Sequence, residues 1–261
     1  MIEKSDFFDR VRAVFEINGL SRVADDEKIE KFRLLTEIMQ SAGEKMNLTA
    51  IKDEEEIIEK HYADSLLILT EQIAPGASLC DVGCGGGFPS FPLAIARPDL
   101  EITAIDSTAK KIRYINETAE KIGVKNLKAY CARAEEAAAS APPASLDKEI
   151  AALKMRERFD VVTARAVAAL PVLCELCLPF VKVGGIFVAM KARSAEEELN
   201  SSENAVKELG GETESVKKLT LRTTGKTENG DMERTMIIVR KKEHTPSNYP
   251  RTFAAIKKKP L

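Results

Sequence analysis

The sequence of 261 residues has no tryptophan, only two histidines and an odd number of cysteines, five. The cysteines show no disulfide spacing, which favours a reducing compartment. The most apolar stretch, Leu170 to Met190, is interrupted by two prolines, a glutamate and a lysine, so we expect no membrane span. The first ten residues lack the apolar core of a secretory signal. We therefore expect a cytoplasmic, globular protein.

The chain also lacks an excess of positive charge, because its 39 Lys and Arg are balanced by 41 Asp and Glu, which gives a net charge of −2. This balance argues against a generally basic nucleic-acid binder. The distribution is uneven, however: the segment from Arg240 to Leu261 carries +6, and the remainder of the chain carries −8. Such a basic segment either reaches phosphate groups or is a solvated, partly disordered tail. Charge alone leaves both alternatives open.

The most informative stretch runs from Ser78 to Pro92, where a short apolar run leads into four glycines within five residues. This pattern predicts a buried strand, a tight turn and then a helix. Glycines permit positive φ angles and allow a ligand to approach the backbone closely. The alternative is a turn that is rich in glycine for packing alone.

Spacing distinguishes among the nucleotide-binding turns. A dinucleotide-binding turn needs a third glycine where this chain has Phe88. A phosphate-binding P-loop would have to end at Gly225-Lys226-Thr227, but Thr220 stands where that motif needs its first glycine. What remains is D-x-G-x-G-x-G, with Asp81 followed by Gly83, Gly85 and Gly87.

Strand and helix patterns alternate along the rest of the chain and predict an α/β fold. We expect a Rossmann-like, mostly parallel seven-stranded sheet with an antiparallel edge strand, preceded by an N-terminal helical cap. The predicted strands lie at 79–82, 101–105, 127–131, 159–164, 186–190, 215–221 and 233–240. We expect a helical extension at 1–73, the main domain at 74–240 and a basic tail at 241–261. Residues 137–158, rich in alanine and broken by Pro142-Pro143, are interpreted as a surface insertion.

Candidate ligand-binding residues follow the predicted strands, because ligands bind at the carboxyl ends of strands in such sheets. Asp106, 23 residues beyond Gly83, is placed to accept hydrogen bonds from ribose hydroxyls; the alternative is a helix N-cap. The loop Arg133-Ala134-Glu135 follows the third strand and is a candidate ligand contact for the same reason. Arg165 ends the fourth strand and is interpreted as a positioning residue, with an internal salt bridge as the alternative.

Two other pairs of residues allow either a structural or a functional interpretation. His61 and Asp64 share one face of a predicted helix from Asp53 to Ile73, and a structural role is favoured over a catalytic one. Cys174 and Cys177 match C-x-x-C, but they lie in an apolar helical run without a second pair or a nearby histidine. We interpret them as core cysteines rather than as a zinc or redox site.

The glycine motif resembles the first motif of class I S-adenosylmethionine (SAM) methyltransferases. Over nearly the whole chain, the sequence is similar to the bacterial RsmG (GidB) family of small-subunit rRNA guanine-N7 methyltransferases. The order and spacing of several short segments carry this resemblance. They begin at Asn47 (N-L-T), His61 (H-Y-A-D-S-L), Asp81 (D-V-G-C-G-G-G-F-P), Ile105 (I-D-S), Arg133 (R-A-E), Thr163 (T-A-R-A) and Tyr249 (Y-P-R), together with Lys191 and Lys257 to Lys259.

The resemblance implies that SAM is the cofactor, with contacts at Gly83, Phe88, Ala134, Glu135 and Arg165. Gly85 and Asp106 complete the predicted cofactor site. It also implies methyl transfer to N7 of guanine 527 in the 530 loop of 16S rRNA, within naked rRNA, a 30S subunit or an assembly intermediate. We expect no membrane partner, no metal and a monomer.

The chain departs from the family in two places. Many members have glycine where Ser90 stands, and the stretch between Glu135 and Arg165 is longer than usual. Neither removes a predicted cofactor contact.

Guanine N7 has a free lone pair and no proton, so the implied reaction needs no general base and proceeds by positioning and desolvation. The alternatives are a small-molecule SAM methyltransferase, an NAD-dependent dehydrogenase and a non-catalytic module that binds SAM or RNA. The ordered motif set and the basic tail disfavour the first. Phe88 and the missing acid/base pair disfavour the second.

Overall fold

The computed structural model describes residues 4–46, 51, 53–165, 168–192, 195–225 and 230–261. The family-like segment at Asn47 and the Lys226-Thr227 part of the rejected P-loop candidate lie outside these residues.

One seven-stranded sheet organises the chain, with the strand order β3-β2-β1-β4-β5-β7-β6. The strands are β1 Ser78–Val82, β2 Glu101–Asp106, β3 Leu127–Cys131, β4 Phe159–Arg165, β5 Val181–Lys191, β6 Gly211–Leu221 and β7 Met232–Lys241. β1 to β5 pair in parallel, and β7 pairs antiparallel with both β5 and β6. The predicted α/β class is confirmed. The reversed strand is β7, which lies between β5 and the edge strand β6.

Helices cover both faces of the sheet. The α-helices are α1 Lys4–Ile17, α2 Asp26–Met46, α3 Glu54–Ile57, α4 Asp64–Leu66, α5 Ser90–Ala96, α6 Ala109–Lys121, α7 Ala134–Ala137, α8 Lys148–Ala152, α9 Leu170–Cys177, α10 Ala195–Glu208 and α11 Phe253–Lys258. The apolar side chains of α1, α2, α5 and α6 form one core, and those of α8, α9 and α11 form another. The carboxyl ends of β1, β2 and β4 lie between these two layers.

The predicted helix at 53–73 is a composite helical run over residues 54–70. A π-helical segment, Ile58–Ala63, joins α3 to α4, and a 3-10 turn, Leu67–Thr70, closes the run. Tyr62 in the π segment is fully buried, and its ring centroid lies 4.7 Å from that of Phe32 in α2. Its hydroxyl lies 2.6 Å from Oγ1 of Thr36. Aromatic packing therefore fixes the π segment against the N-terminal helices.

The insertion at 137–158 and the C-terminal segment pack together. Leu146, Ile150 and Met155 in the insertion are buried, so it covers the core as well as lying at the surface. The Arg156 guanidinium donates hydrogen bonds to the carbonyl oxygens of Thr245 and Tyr249, at 2.6 and 2.7 Å. The C-terminal segment is thus folded onto the domain, and the alternative of a disordered tail does not describe it.

Substitution of Gly87 by alanine tests how closely the glycine loop packs against α5. Its φ is +93°, and a Cβ on it would overlap the buried ring of Phe91. Gly76 also has a positive φ, +72°, but has open space around it. Gly76→Ala should cost only the left-handed strain of about 1–2 kcal/mol. Gly87→Ala should cost about 1–3 kcal/mol more through overpacking, measured as the free energy of unfolding in urea. Equal losses in the two variants would contradict the packing described.

Candidate active site

The glycine loop lies across the carboxyl ends of β1 and β2. Gly83, Gly85 and Gly87 have φ values of +76°, +55° and +93°, a conformation that glycine adopts without strain. The N–H groups of Gly83 and Cys84 donate to the carbonyl oxygen of Ile105, at 2.8 and 3.0 Å. The loop is therefore fixed to the end of β2. A Cβ on Gly85 would meet only the Gly83 carbonyl, at 3.9 Å, so the backbone is accessible there.

Asp81, which opens the glycine motif, is fully buried beneath the loop. One carboxylate oxygen, Oδ2, accepts a hydrogen bond from the Ser90 hydroxyl at 2.5 Å. The other, Oδ1, has no hydrogen-bond partner among the described residues. Burial raises the pKa of Asp81 to about 6, although the Ser90 hydrogen bond opposes the shift. Asp81 does not line the adjoining cavity, so this carboxyl group belongs to the core that supports the loop.

Asp106 ends β2 and is partly exposed. Its Oδ2 accepts the N–H of Gly85 at 3.1 Å, and its Oδ1 accepts the N–H of Thr108 at 2.8 Å. Thr108, not Asp106, holds the N-cap position of α6, so the alternative of a helix N-cap does not describe Asp106. A carboxylate oxygen can accept two hydrogen bonds, so each oxygen of Asp106 has capacity left for a ligand. The carboxylate therefore fixes the glycine loop and still faces the cavity.

A cavity of about 430 Å³ brings together all seven predicted cofactor residues. They are Gly83, Gly85, Phe88, Asp106, Ala134, Glu135 and Arg165. The volume falls in the usual range for small-molecule sites. Sequence analysis missed Lys111, Leu176 and Phe253, which also line the cavity. These three lie on helices, and no short motif marks them.

Arg165 joins this cavity to the N-terminal helices. Its guanidinium donates to Asp64 Oδ2 at 3.2 Å and to the carbonyl oxygen of Lys60 at 3.1 Å. It also lies 5.8 Å from the ring centroid of Phe88 and 3.4 Å from Nδ1 of His61. The internal salt bridge that was the alternative for Arg165 is therefore present, and it holds the side chain at the cavity wall.

His61 and Asp64 meet at Arg165. Asp64 also accepts a hydrogen bond from Nε of Arg234 in β7, at 2.7 Å. The His61 ring stacks on Phe88 with centroids 4.4 Å apart and ring planes 12° apart. Burial, together with the nearby charge of Arg165, lowers the pKa of His61 to about 3. The imidazole is consequently neutral near pH 7.

A second cavity, of about 510 Å³, lies on the other side of His61 and Arg165 and is lined by both. Its lining contains four cationic side chains, on Lys60, Arg165, Lys191 and Arg234, against two acidic ones, on Asp64 and Glu198. Lys191 pairs with Glu198 at 2.7 Å. The two cavities share a wall, so a ligand in one reaches the neighbourhood of a ligand in the other.

Cys174 and Cys177 are fully buried on α9. Burial raises the pKa of Cys174 to about 12, which leaves it as a thiol near pH 7. Within the described ranges, His, Cys, Asp and Glu side chains form no cluster of three or more that would hold a metal ion. None of the helices described in the structure combines the length and apolarity needed to cross a membrane.

The sequence model of one family, GidB (rRNA small subunit methyltransferase G), matches residues 28–225. A relative from Clostridium perfringens strain 13, named ribosomal RNA small subunit methyltransferase G, is 37% identical over 98% of this chain and 99% of its own length. The chain belongs to this family. A relative of the same name from Lachnoclostridium phytofermentans is 41% identical, over 94% of this chain and 96% of its own.

Solved structures support the fold of this member of the rRNA small subunit methyltransferase G family. The [4+2]-cyclase SpnF aligns with a TM-score of 0.53 at 17% identity, over 82% of this chain and 94% of its own. A structure titled for the conversion of a disulfide bond into a thioacetal group during echinomycin biosynthesis aligns with a TM-score of 0.51 at 15% identity, over 68% and 81%. These likenesses concern the fold alone.

Asp81→Asn tests the buried carboxyl group of this family member. The pKa of Asp81 in the folded chain, about 6, lies above its ordinary value of 3.8, so ionisation destabilises the folded state as pH rises through 6. Between pH 5 and pH 8, the wild-type chain should lose roughly 1 kcal/mol of unfolding free energy relative to Asp81→Asn. Urea titrations at several pH values measure the difference.

Asp99→Asn is the matched control. The hydrogen bond from Arg97, against a small effect of burial, lowers the pKa of Asp99 to about 2, so this carboxyl group does not titrate in the same window. The difference in unfolding free energy between Asp99→Asn and the wild-type chain should therefore stay constant between pH 5 and pH 8. A constant difference for Asp81→Asn as well would contradict the raised pKa.

Proposed function

We propose that this protein transfers the methyl group of S-adenosylmethionine to N7 of a guanine in the 530 loop of 16S rRNA, in a 30S subunit or an assembly intermediate. The observation that carries the proposal is the single cavity in which the glycine loop, Asp106, Glu135 and Arg165 come together. Family membership supports the substrate, since the curated relatives are named as small-subunit rRNA methyltransferases.

The residues around the first cavity fit the cofactor. Asp106 offers carboxylate oxygens suited to ribose hydroxyls, and Gly85 leaves the backbone open to close approach. Ala134 and Glu135 offer a backbone N–H and a carboxylate at the cavity wall, suited to the edge of an adenine ring. When bound, S-adenosylmethionine supplies an electrophilic methyl group on a cationic sulfur.

The second cavity suits the acceptor guanine. Its lining has two more cationic than acidic groups, which favours a nucleotide with its phosphates. The stacked pair of His61 and Phe88 lies where the cavities meet and offers an aromatic surface to a base. Met190 and Met236 add apolar contacts.

Positioning accounts for the proposed catalysis. Guanine N7 carries no proton, so the chain has no proton to remove, and the neutral His61 is consistent with that requirement. Arg165 is held by Asp64 and the Lys60 carbonyl, so it presents a fixed charge between the cavities. Apolar side chains line part of both cavities, and displacement of water from them by the two bound reactants would favour transfer from a cationic donor to a neutral nitrogen.

Asp106→Ala tests the cofactor assignment. Loss of charge-assisted hydrogen bonds to the ribose should weaken S-adenosylmethionine binding by about 1.5–3 kcal/mol, measured by calorimetry. Glu101→Ala removes an exposed carboxylate at the opposite end of the same strand and should leave binding unchanged. Unchanged affinity in Asp106→Ala would remove this residue from the proposed site.

The acceptor is tested with S-adenosylmethionine that carries a labelled methyl group and with 30S subunits that lack the modification. Label should enter 16S rRNA and be recovered as 7-methylguanosine. Label in a small molecule instead would favour a small-molecule methyltransferase. Cofactor binding without any transfer to subunits or to naked rRNA would favour a non-catalytic module and would contradict the proposal.

A further inference from the structure

Phe253 on α11 is one of the few large apolar side chains that remain exposed, at 38% of its surface. It lines the first cavity, although it stands 166 residues after Gly87 in the sequence. Two other large apolar side chains of the C-terminal segment are buried, since Ile256 is 0% exposed and Tyr249 is 8% exposed. An exposed ring at a cavity wall, within a segment that is otherwise well packed, indicates a surface for a ligand.

A buried ion pair anchors the segment that carries Phe253. Glu175 in α9 is fully buried and accepts hydrogen bonds at 2.8 Å from both the N–H and Nε of Arg251, two residues before Phe253. The second carboxylate oxygen accepts from Nη2 at 2.5 Å. Opening this pair would leave a carboxylate buried without its counter-charge, so the backbone next to Phe253 is firmly held.

The anchors belong to the same elements that form the cavity wall. α9 also supplies Leu176 to the lining, next in sequence to Glu175. The segment after α7 binds the C-terminal segment through the Ser140 hydroxyl, which donates to the Ser247 carbonyl oxygen at 2.6 Å. The start of α7 supplies Ala134 and Glu135, the residues suited to an adenine edge. Phe253 therefore lies on the adenine side of the cavity.

We propose that Phe253 binds the cofactor directly, with its ring as the apolar surface on which the adenine of S-adenosylmethionine packs. This inference rests on the proposed function. An adenine ring has two flat, weakly hydrated faces, and aromatic side chains stack on such faces without reading the base. The C-terminal segment thereby becomes part of the cofactor site.

Calorimetry with S-adenosylhomocysteine, the demethylated product, tests the contact without turnover. Phe253→Ala should weaken binding about tenfold, and Phe253→Leu should have a smaller effect because it keeps an apolar side chain. Lys258→Ala on the same helix is the matched control, since Lys258 is exposed and does not line the cavity, and should bind as wild type does. Unfolding curves without ligand establish that each variant is folded.

A second measurement uses the absence of tryptophan. Phe253→Trp introduces the only indole in the chain, so its emission reports on this position alone. S-adenosylhomocysteine and adenosine should change the emission with saturation, and methionine should not. This inference alone would be overturned if the wild-type chain binds S-adenosylhomocysteine, the folded Phe253→Ala variant binds it with unchanged affinity, and the indole emission of Phe253→Trp does not respond. Absence of binding by the folded wild-type chain would overturn both this inference and the proposed function.

Discussion

One buried carboxylate, that of Asp64, connects the N-terminal helices to the sheet and thereby fixes the site. It is 7% exposed and accepts hydrogen bonds from two arginines on different strands, Arg165 of β4 and Arg234 of β7. Two guanidinium groups held this close need a shared negative charge, so loss of Asp64 would leave them repelling each other. The π-helical segment precedes Asp64 and sets His61 against Phe88. The wall between the two cavities therefore depends on Asp64 and on the two arginines that it holds, Arg165 and Arg234.

The parts of the site that the sequence predicted are those encoded by local patterns. Alternating and apolar runs located the strands, and Asp106 and Arg165 follow because each ends a parallel strand. The glycine loop was recognisable from spacing, since its conformation needs residues that adopt positive φ without strain. All of these features involve fewer than a dozen consecutive residues.

Features built from distant residues were not predictable in this way. Arg165 pairs with Asp64, 101 positions earlier, and no local pattern specifies that contact. The π turn leaves the hydrophobic pattern of a helix almost unchanged, so the sequence indicated one continuous helix. Phe253 belongs to a segment that was interpreted from its charge and from the family-like residues on either side of Phe253, and neither signal marks Phe253 itself. Its place in the cavity arises from the Arg251–Glu175 pair and the contacts of Arg156.

In the C-terminal segment, the number of Lys and Arg residues overstates the positive charge that is exposed to a partner. Arg240, Lys242 and Arg251 pair with Glu214, Glu212 and Glu175. Lys241 is fully buried, and burial lowers its pKa to about 8. Exposed positive charge is instead concentrated in Lys257, Lys258 and Lys259, next to the ring that lines the first cavity.

The fold alone does not determine the reaction, since the [4+2]-cyclase SpnF has a similar fold. The central claim, methyl transfer to guanine N7 in 16S rRNA, therefore needs a chemical measurement. The most direct one maps 7-methylguanosine in 16S rRNA from cells with and without the gene for this protein. The account predicts a single modified guanine in the 530 loop that disappears with the gene and returns when the gene is restored. The same modification pattern in both kinds of cell would contradict it.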